Sequence, residues 1–96
     1  MPHYVLLGNW TEEGIRQVKQ GPKREEAFHK AVEAAGGKVV VDLHTMGAYD
    51  FVVVVELPSD EALNLVALRT GQLGFVRTTT LKGWTAPEFA QLVQKV

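Results

Sequence analysis

The chain has no cysteine among its 96 residues, and its only serine is Ser59. The absence of cysteine excludes disulfide bonds, thiolate nucleophiles and the commoner structural zinc sites. Ser59 precedes Asp60 and Glu61, where a serine is expected to cap a helix rather than to act as a nucleophile. Neither glycine-rich phosphate-binding pattern, Gly-x-x-x-x-Gly-Lys or Gly-x-Gly-x-x-Gly, occurs. Serine hydrolase and nucleotide-loop chemistry are therefore unsupported, and no cofactor is predicted.

The chain also lacks an excess of charge of either sign and any long apolar run. Ten lysine and arginine residues against eleven aspartate and glutamate residues give a net charge of −1. Because no surplus of positive charge is available to neutralise phosphates, nucleic acid is not expected as a partner. No apolar run approaches the ~20 residues of a membrane span, and the first residues lack the features of a signal peptide. We expect a cytoplasmic protein without membrane association, folded as a single domain over residues 1–96.

Turn and capping signals divide the first part of the chain into a strand and two helical stretches. A strand is predicted over residues 3–10, and Thr11 is placed to cap a helix that begins directly after it. The helix should break at Gly21-Pro22, because proline suits a helix start better than a helix interior. An amphipathic helix with one apolar stripe then runs to Gly36. We expect this second stretch to cover one face of a sheet.

Two runs of β-branched residues, 39–41 and 52–55, predict a hairpin of strands two and three around a glycine-containing turn. Because side chains alternate along a strand, the residues near the third strand divide between two faces. One face holds Tyr49, Phe51, Val53 and Val55, and the other holds Val52 and Val54. Both faces are apolar, so the sheet needs a second cover beyond the helices. The chain has too few helices for this, and we predict that a second copy packs sheet against sheet to form a homodimer or a larger homo-oligomer.

The remaining elements complete an α+β ferredoxin-like order. The helix after strand three leads to a fourth strand predicted over residues 75–84. A last helix is predicted at Thr85, which forms a capping box with Glu88, while Trp84 and Phe89 occupy the positions of a hydrophobic staple. The order is βαββαβ with a C-terminal helix, which corresponds to a four-stranded antiparallel sheet.

Gly47, Tyr49 and Asp50, in the turn before strand three, resemble the Gly-x-Tyr-Asp signature of the GYD-domain family. The resemblance covers nearly the whole chain, from residues 4–7 to the Arg-Thr-rich strand at 77–80. It implies a small bacterial protein of ferredoxin-like fold, similar to the dimeric α/β-barrel group in which two sheets pack face to face. The activity of the family is unassigned, so the resemblance implies no particular reaction.

Three residues around this turn are candidates for catalysis. His44 lies shortly before the turn, and hairpin pairing would bring it near Tyr49 and Asp50. One interpretation is acid–base chemistry, with Asp50 as general base or as the group that orients His44. The alternative is structural: Gly47 supplies an unusual φ, Asp50 accepts turn N–H bonds, and Tyr49 packs. Whether the protein is an enzyme is left open.

Four further residues are candidates for binding a ligand. Arg77 and Thr79 offer a cation and a hydroxyl for a carboxylate or a phosphate, although an edge strand with a surface ion pair explains them equally well. Asn9 and Trp10, at the end of strand one, are candidates for lining a pocket. No metal site is predicted, because the histidines have no i, i+4 or similar spacing and a three-histidine site would depend on tertiary placement. The histidines are His3, His29 and His44.

These observations support three hypotheses about function. The first is a homo-oligomeric domain that binds an unidentified small molecule in a pocket between sheet and helices. The second is a small cofactor-independent isomerase, lyase or monooxygenase that uses His44, Asp50 and Tyr49. The third is a purely structural or partner-binding protein, in which the cavity is closed.

Overall fold

The computed structural model describes all 96 residues and contains one four-stranded antiparallel sheet. The elements in chain order are β1 (His3–Trp10), α1 (Glu12–Arg16), a 3₁₀ turn (Val18–Gln20), α2 (Gly21–Ala34), β2 (Lys38–His44), β3 (Phe51–Glu56), α3 (Asp60–Gln72), β4 (Val76–Gly83) and α4 (Ala86–Val93). The strands lie in the order β2-β3-β1-β4. This is the ferredoxin-like βαββαβ arrangement followed by a terminal helix, and the predicted fold class is confirmed.

Three of the four α-helices, α1, α3 and α4, begin where the sequence places capping residues. The hydroxyl oxygens of Thr11, Ser59 and Thr85 each accept a backbone N–H three residues further along the chain. At the last of these caps the Thr85 N–H donates to the Glu88 carboxylate at 2.7 Å, which completes the capping box. This backbone hydrogen bond, with the one from the Thr85 side chain, holds the pKa of Glu88 below its usual value. The predicted helix break is also confirmed, because α2 starts at Gly21 after a 3₁₀ turn.

The core lies between the sheet and helices α2 and α3. Its buried members are Tyr4, Leu6, Val32, Val53, Val55, Leu57, Leu63 and Val66. Val53 pairs with Leu6 and Val55 with Tyr4 across β1 and β3, so these side chains share the helix-facing side. The predicted division of β3 into two faces is confirmed, since Val52 and Val54 are less buried than Val53 and Val55.

The other face of the sheet is apolar and has no helix of this chain over it. The pairing register places seven aliphatic residues there: Val5, Leu7, Val41, Leu43, Val52, Val54 and Leu81. Leu43 is 55% exposed and Leu81 is 49% exposed. We call this surface the outer sheet face. The predicted second apolar face is thus present, and the predicted cover by a second copy stays a prediction.

The terminal helix α4 buries none of its residues against the rest of the chain. Its apolar stripe is open, with Phe89 61% exposed and Val93 51% exposed. Trp84, just before the helix, is 56% exposed. A capping box thus defines the start of α4, but none of its side chains is buried in the apolar core. None of the helices combines the length and the apolar composition needed to cross a bilayer.

Candidate functional site

A cleft of about 330 Å³ lies between the sheet and helices α2 and α3. Leu6, Phe51 and Val53 from β1 and β3 form its floor. On the α2 side it is lined by small side chains, including Ala27 and Ala31, which leave space that larger residues would fill. A cavity is therefore present where the sequence analysis predicts a pocket, between sheet and helices.

The floor of the cleft depends on a glycine opposite an aromatic ring. Gly8 pairs with Phe51 across β1 and β3. A Cβ atom built on Gly8 would lie 1.9 Å from Cζ of the Phe51 ring, which is far inside van der Waals contact. Glycine at this position therefore allows the ring to lie across β1 and to form part of the floor.

Two arginines line the cleft. The Arg24 guanidinium lies 4.3 Å from the centroid of the Phe75 ring and donates a hydrogen bond to the Gln17 carbonyl at 2.9 Å. Arg69, on α3, makes no ion pair within the chain. Thirteen of the 21 lining residues are hydrophobic, so the cleft combines an apolar surface with two cations that no carboxylate of the protein neutralises. Of these two, Arg69 makes no cation–π contact, whereas Arg24 lies over the Phe75 ring.

The turn that carries the Gly-x-Tyr-Asp signature is held by hydrogen bonds between Asp50 and the backbone of β1. Gly47 has a φ of 107°, a conformation that side-chain-bearing residues rarely adopt. The Asp50 carboxylate accepts the Trp10 N–H at 3.0 Å, and the Asp50 N–H donates to the Gly8 carbonyl at 2.8 Å. Asp50 therefore ties the turn to the end of β1, which agrees with the structural interpretation of the signature.

The three candidate catalytic residues do not form a mutual hydrogen-bonded group. His44 Nε2 lies 3.1 Å from Oε2 of Glu25 on α2. No hydrogen bond joins the His44 ring to Asp50, whose carboxylate accepts the backbone N–H of Trp10. The Tyr49 carbonyl accepts the Thr45 hydroxyl at 2.6 Å. Of the three residues only His44 lines the cleft. A catalytic role for the set stays a prediction.

The four candidate ligand-binding residues lie on two sides of the sheet. Trp10 lines the cleft, and its ring stacks on the His44 ring with centroids 6.3 Å apart. Asn9 pairs with Arg77, and Thr79 follows two residues later on the same face of β4. This face is the outer sheet face, where all three residues are exposed. The structure thus brings Trp10 together with His44 and separates it from the other three.

A cluster that sequence reasoning missed joins α2 to β2. His29 Nε2 lies 2.7 Å from Asp42 Oδ2, and Glu25 contacts His44 beside them. Glu25 and His29 are one helical turn apart, and Asp42 and His44 are two residues apart in a strand. We call these four residues the α2–β2 cluster. The sequence does contain the indication, because a carboxylate and a histidine lie four residues apart in α2 and two residues apart in β2. Spacing between histidines alone does not reveal a histidine paired with a carboxylate.

A second polar contact closes the opposite end of the sheet. The Tyr4 hydroxyl donates to the Asp60 carboxylate at 2.5 Å, and Lys82 binds the same carboxylate at 2.9 Å. Burial, followed by this hydrogen bond, raises the pKa of Tyr4 to about 12. The hydrogen bonds from Tyr4 and then Lys82 lower the pKa of Asp60. Neither Tyr4 nor Asp60 lines the cleft. This contact therefore stabilises the start of α3 and is not part of the candidate site.

Solved structures share the fold of this chain. The crystal structure of a point mutant of another protein superimposes with a TM-score of 0.66 at 18% identity and covers 88% of this chain. The present chain spans 51% of that protein's length. The crystal structure of TTHA0845 from Thermus thermophilus gives a TM-score of 0.55 at 24% identity, over 90% of this chain and 96% of the other.

Sequence comparison is more specific than the fold. A relative from Thermus thermophilus, named glutamine synthetase and cystathionine beta-lyase binding protein, is 30% identical over 83 residues. The match covers 85% of this chain and 87% of the relative. The family model described as the GYD domain matches residues 4–93. The chain therefore belongs to the GYD-domain family.

Proposed function

We propose that the protein is a homodimeric small-molecule-binding module whose ligand occupies the cleft between the sheet and helices α2 and α3. The observation that carries this proposal is the cleft itself, whose volume of about 330 Å³ lies at the lower end of the range of ligand pockets. The apolar floor favours a ligand with an apolar body. Arg69, which has no internal ion partner, favours a carboxylate or another anionic group on that body.

The second part of the proposal is that two copies pack through the outer sheet face. Seven aliphatic side chains lie on this face, and no helix of the chain covers it. An antiparallel sheet with one solvated face normally shows polar residues there. A second copy presents the same surface, which an isologous two-fold interface requires. The cytoplasmic location stays a prediction from the sequence.

The enzymatic alternative is a small cofactor-independent isomerase, lyase or monooxygenase that uses His44, Asp50 and Tyr49. His44 lies at the cleft beside Trp10, which supports access to a bound molecule. The Asp50 carboxylate, however, accepts the Trp10 N–H, and a general base in this position would have to give up that bond. The geometry therefore favours binding over catalysis.

A second candidate function is the binding of a partner enzyme. The Thermus thermophilus relative is named for binding glutamine synthetase and cystathionine beta-lyase. The observation in this chain that favours such a role is α4, whose residues Phe89 and Leu92 are 61% and 42% exposed on one apolar stripe. If α4 is the docking element, Phe89→Ser should weaken binding of the purified enzymes from the same host at least about tenfold, and Gln94→Ser should not.

Binding of 8-anilinonaphthalene-1-sulfonate, a probe with an apolar body and a sulfonate group, tests the proposed site. We expect saturable binding by the wild-type chain, followed by fluorescence. Ala31→Phe fills the cleft and should abolish it, whereas Ala90→Phe adds the same ring on α4 and should not. Arg69→Ala should weaken binding about tenfold. Arg16→Ala, which removes an exposed arginine that pairs with Glu12 on α1 outside the cleft, is the matched control. Equal binding by the Ala31→Phe and Ala90→Phe chains would place the probe elsewhere and count against the cleft.

A further inference from the structure

Helix α2 and strand β2 face each other with two imidazoles and two carboxylates between them. Glu25 and His29 lie one turn apart on α2 and therefore project from the same side of the helix. Asp42 and His44 alternate with Leu43 on β2 and share the helix-facing side of the sheet. The fold thus brings four potential metal-ligand side chains to one place from only two elements.

The distances within this α2–β2 cluster are those of a nearly formed coordination site. One ligand atom from each of Glu25, His29 and Asp42 lies within 4.8 Å of the other two. Donor atoms in a tetrahedral site with bonds of about 2.0–2.2 Å are separated by about 3.4 Å. The His29 nitrogen and the Asp42 oxygen, 2.7 Å apart in their hydrogen bond, have to separate, and the Glu25 oxygen has to approach them. Side-chain rotation supplies these shifts, because the three residues are on elements that already pack together.

The charges of the cluster also favour a cation. The Asp42 side chain is only 11% exposed, and its one ion partner in the protein is His29. Arg24, although adjacent to Glu25 in sequence, directs its guanidinium to the Phe75 ring and the Gln17 carbonyl. No lysine or arginine therefore neutralises either carboxylate of the cluster. A buried carboxylate is stabilised by a cation, and a divalent metal ion serves both carboxylates at once.

We propose that Glu25, His29 and Asp42 bind a divalent transition-metal ion, with Zn²⁺ as the first ion to test. One imidazole nitrogen and two carboxylate oxygens form a donor set that Zn²⁺ accepts, and three protein ligands leave a coordination position open. Glu25 and Asp42 both line the cleft, so the open position faces it. His44, 3.1 Å from Glu25, is a positioning residue that orients this ligand. The metal site stands independently of the organic ligand proposed above.

Calorimetric titration of the metal-free protein with Zn²⁺ tests this proposal. We expect the wild-type chain to bind one Zn²⁺ per chain. Loss of a residue that hydrogen-bonds to a metal ligand lowers metal affinity about 10- to 100-fold, and we expect His44→Gln to weaken Zn²⁺ binding by this factor. His29→Gln and Asp42→Asn each remove a ligand and should weaken binding by more than His44→Gln does. The matched control is His3→Gln, because His3 also lies beside a carboxylate, that of Glu56 at 3.3 Å, but outside the cluster. It should keep the wild-type affinity.

A second readout needs no variant that could fail to fold. Bound Co²⁺ in a site of low coordination number absorbs visible light strongly, whereas the octahedral hydrated ion is pink and absorbs only weakly. We expect the wild-type chain to develop this absorption with a one-to-one end point, and Zn²⁺ to displace it. Any one of three results would overturn the proposal. The wild-type chain shows no saturable Zn²⁺ binding, or its Co²⁺ spectrum is identical to that of the hydrated ion. The third is equal Zn²⁺ affinity of the folded His29→Gln and His3→Gln chains. All of these measurements use the metal without the fluorescent probe, so their failure is distinct from failure of the cleft to bind a ligand.

Discussion

The carboxylate of Asp50 accepts the backbone N–H of Trp10 at 3.0 Å and so joins the signature turn to the last residue of β1. Trp10 in turn stacks on His44 at the edge of the cleft. The aspartate of the signature therefore holds a cleft residue in place through its backbone. The Gly-x-Tyr-Asp turn thus supports a residue of the cleft, and neither Tyr49 nor Asp50 lines the cleft itself.

Removal of the Asp50 carboxylate should destabilise the protein. Hydrogen bonds to charged groups contribute about 1.5–3 kcal/mol, so Asp50→Ala should lower the free energy of unfolding by about that amount in urea denaturation. Asp50→Asn keeps an acceptor oxygen and should lose less. If Asp50→Ala unfolds at the same urea concentration as the wild-type chain, the structural interpretation of the signature is wrong.

Gly8→Ala should be destabilising because the new methyl group meets the Phe51 ring. Overpacking of this kind costs about 1–3 kcal/mol, measured as the change in unfolding free energy. A smaller side chain opposite should relieve the clash, so the double variant Gly8→Ala with Phe51→Leu should lose less stability than the sum of its two single variants. Strict additivity in this double-mutant cycle would show that the ring does not press on Gly8.

The fold could be predicted from sequence because its signals are local. Thr11, Ser59 and Thr85 each stand directly before a helix and cap it, and the valine runs mark β2 and β3. Alternation along β3 was enough to predict two apolar faces. The position of the cleft agrees with the same layer arrangement, because a cavity beneath helices that cover one face of a sheet lies between the two layers.

The contacts of the site could not be predicted in the same way. The sequence suggests that His44 and Asp50 are neighbours across the hairpin, but hydrogen bonding at a turn depends on backbone geometry that a sequence pattern does not encode. In the structure Asp50 binds the backbone of β1, and His44 reaches across to Glu25 on α2. The pairing of His29 with Asp42 likewise depends on how α2 lies over β2, which residue spacing within either element does not specify.

Alkaline pH should destabilise the protein through Tyr4. Its pKa is raised from 10.0 to about 12 by burial and by the hydrogen bond to Asp60, so the folded state favours the neutral phenol. The corresponding stability is fully present below pH 10.0 and is lost as the pH rises towards 12. In Tyr4→Phe the decline in unfolding free energy over this range should be smaller, whereas Tyr49→Phe should follow the wild-type chain. Parallel pH profiles for the wild-type and Tyr4→Phe chains would contradict this assignment.

A charge on the outer sheet face should separate the proposed dimer. Val54 lies in the central strand β3 on this face, and a lysine there would place a charge in a buried apolar interface. We expect Val54→Lys to sediment as a monomer of 10.6 kDa at concentrations where the wild-type chain is a dimer. Gln72→Lys, an exposed position on α3, should sediment as the wild-type chain does. A monomeric wild-type chain would show that the outer sheet face is not an interface between copies.

The most direct test of the central claim is native mass spectrometry of the wild-type and Ala31→Phe chains, purified in parallel under non-denaturing conditions from the same bacterial cytosol. The wild-type spectrum should show a dimer of the 10.6 kDa chain with a discrete additional mass, and the Ala31→Phe spectrum should show the dimer alone, because the introduced ring fills the cleft. The same additional mass on both chains, or on neither, would contradict the proposal that this cleft binds the ligand.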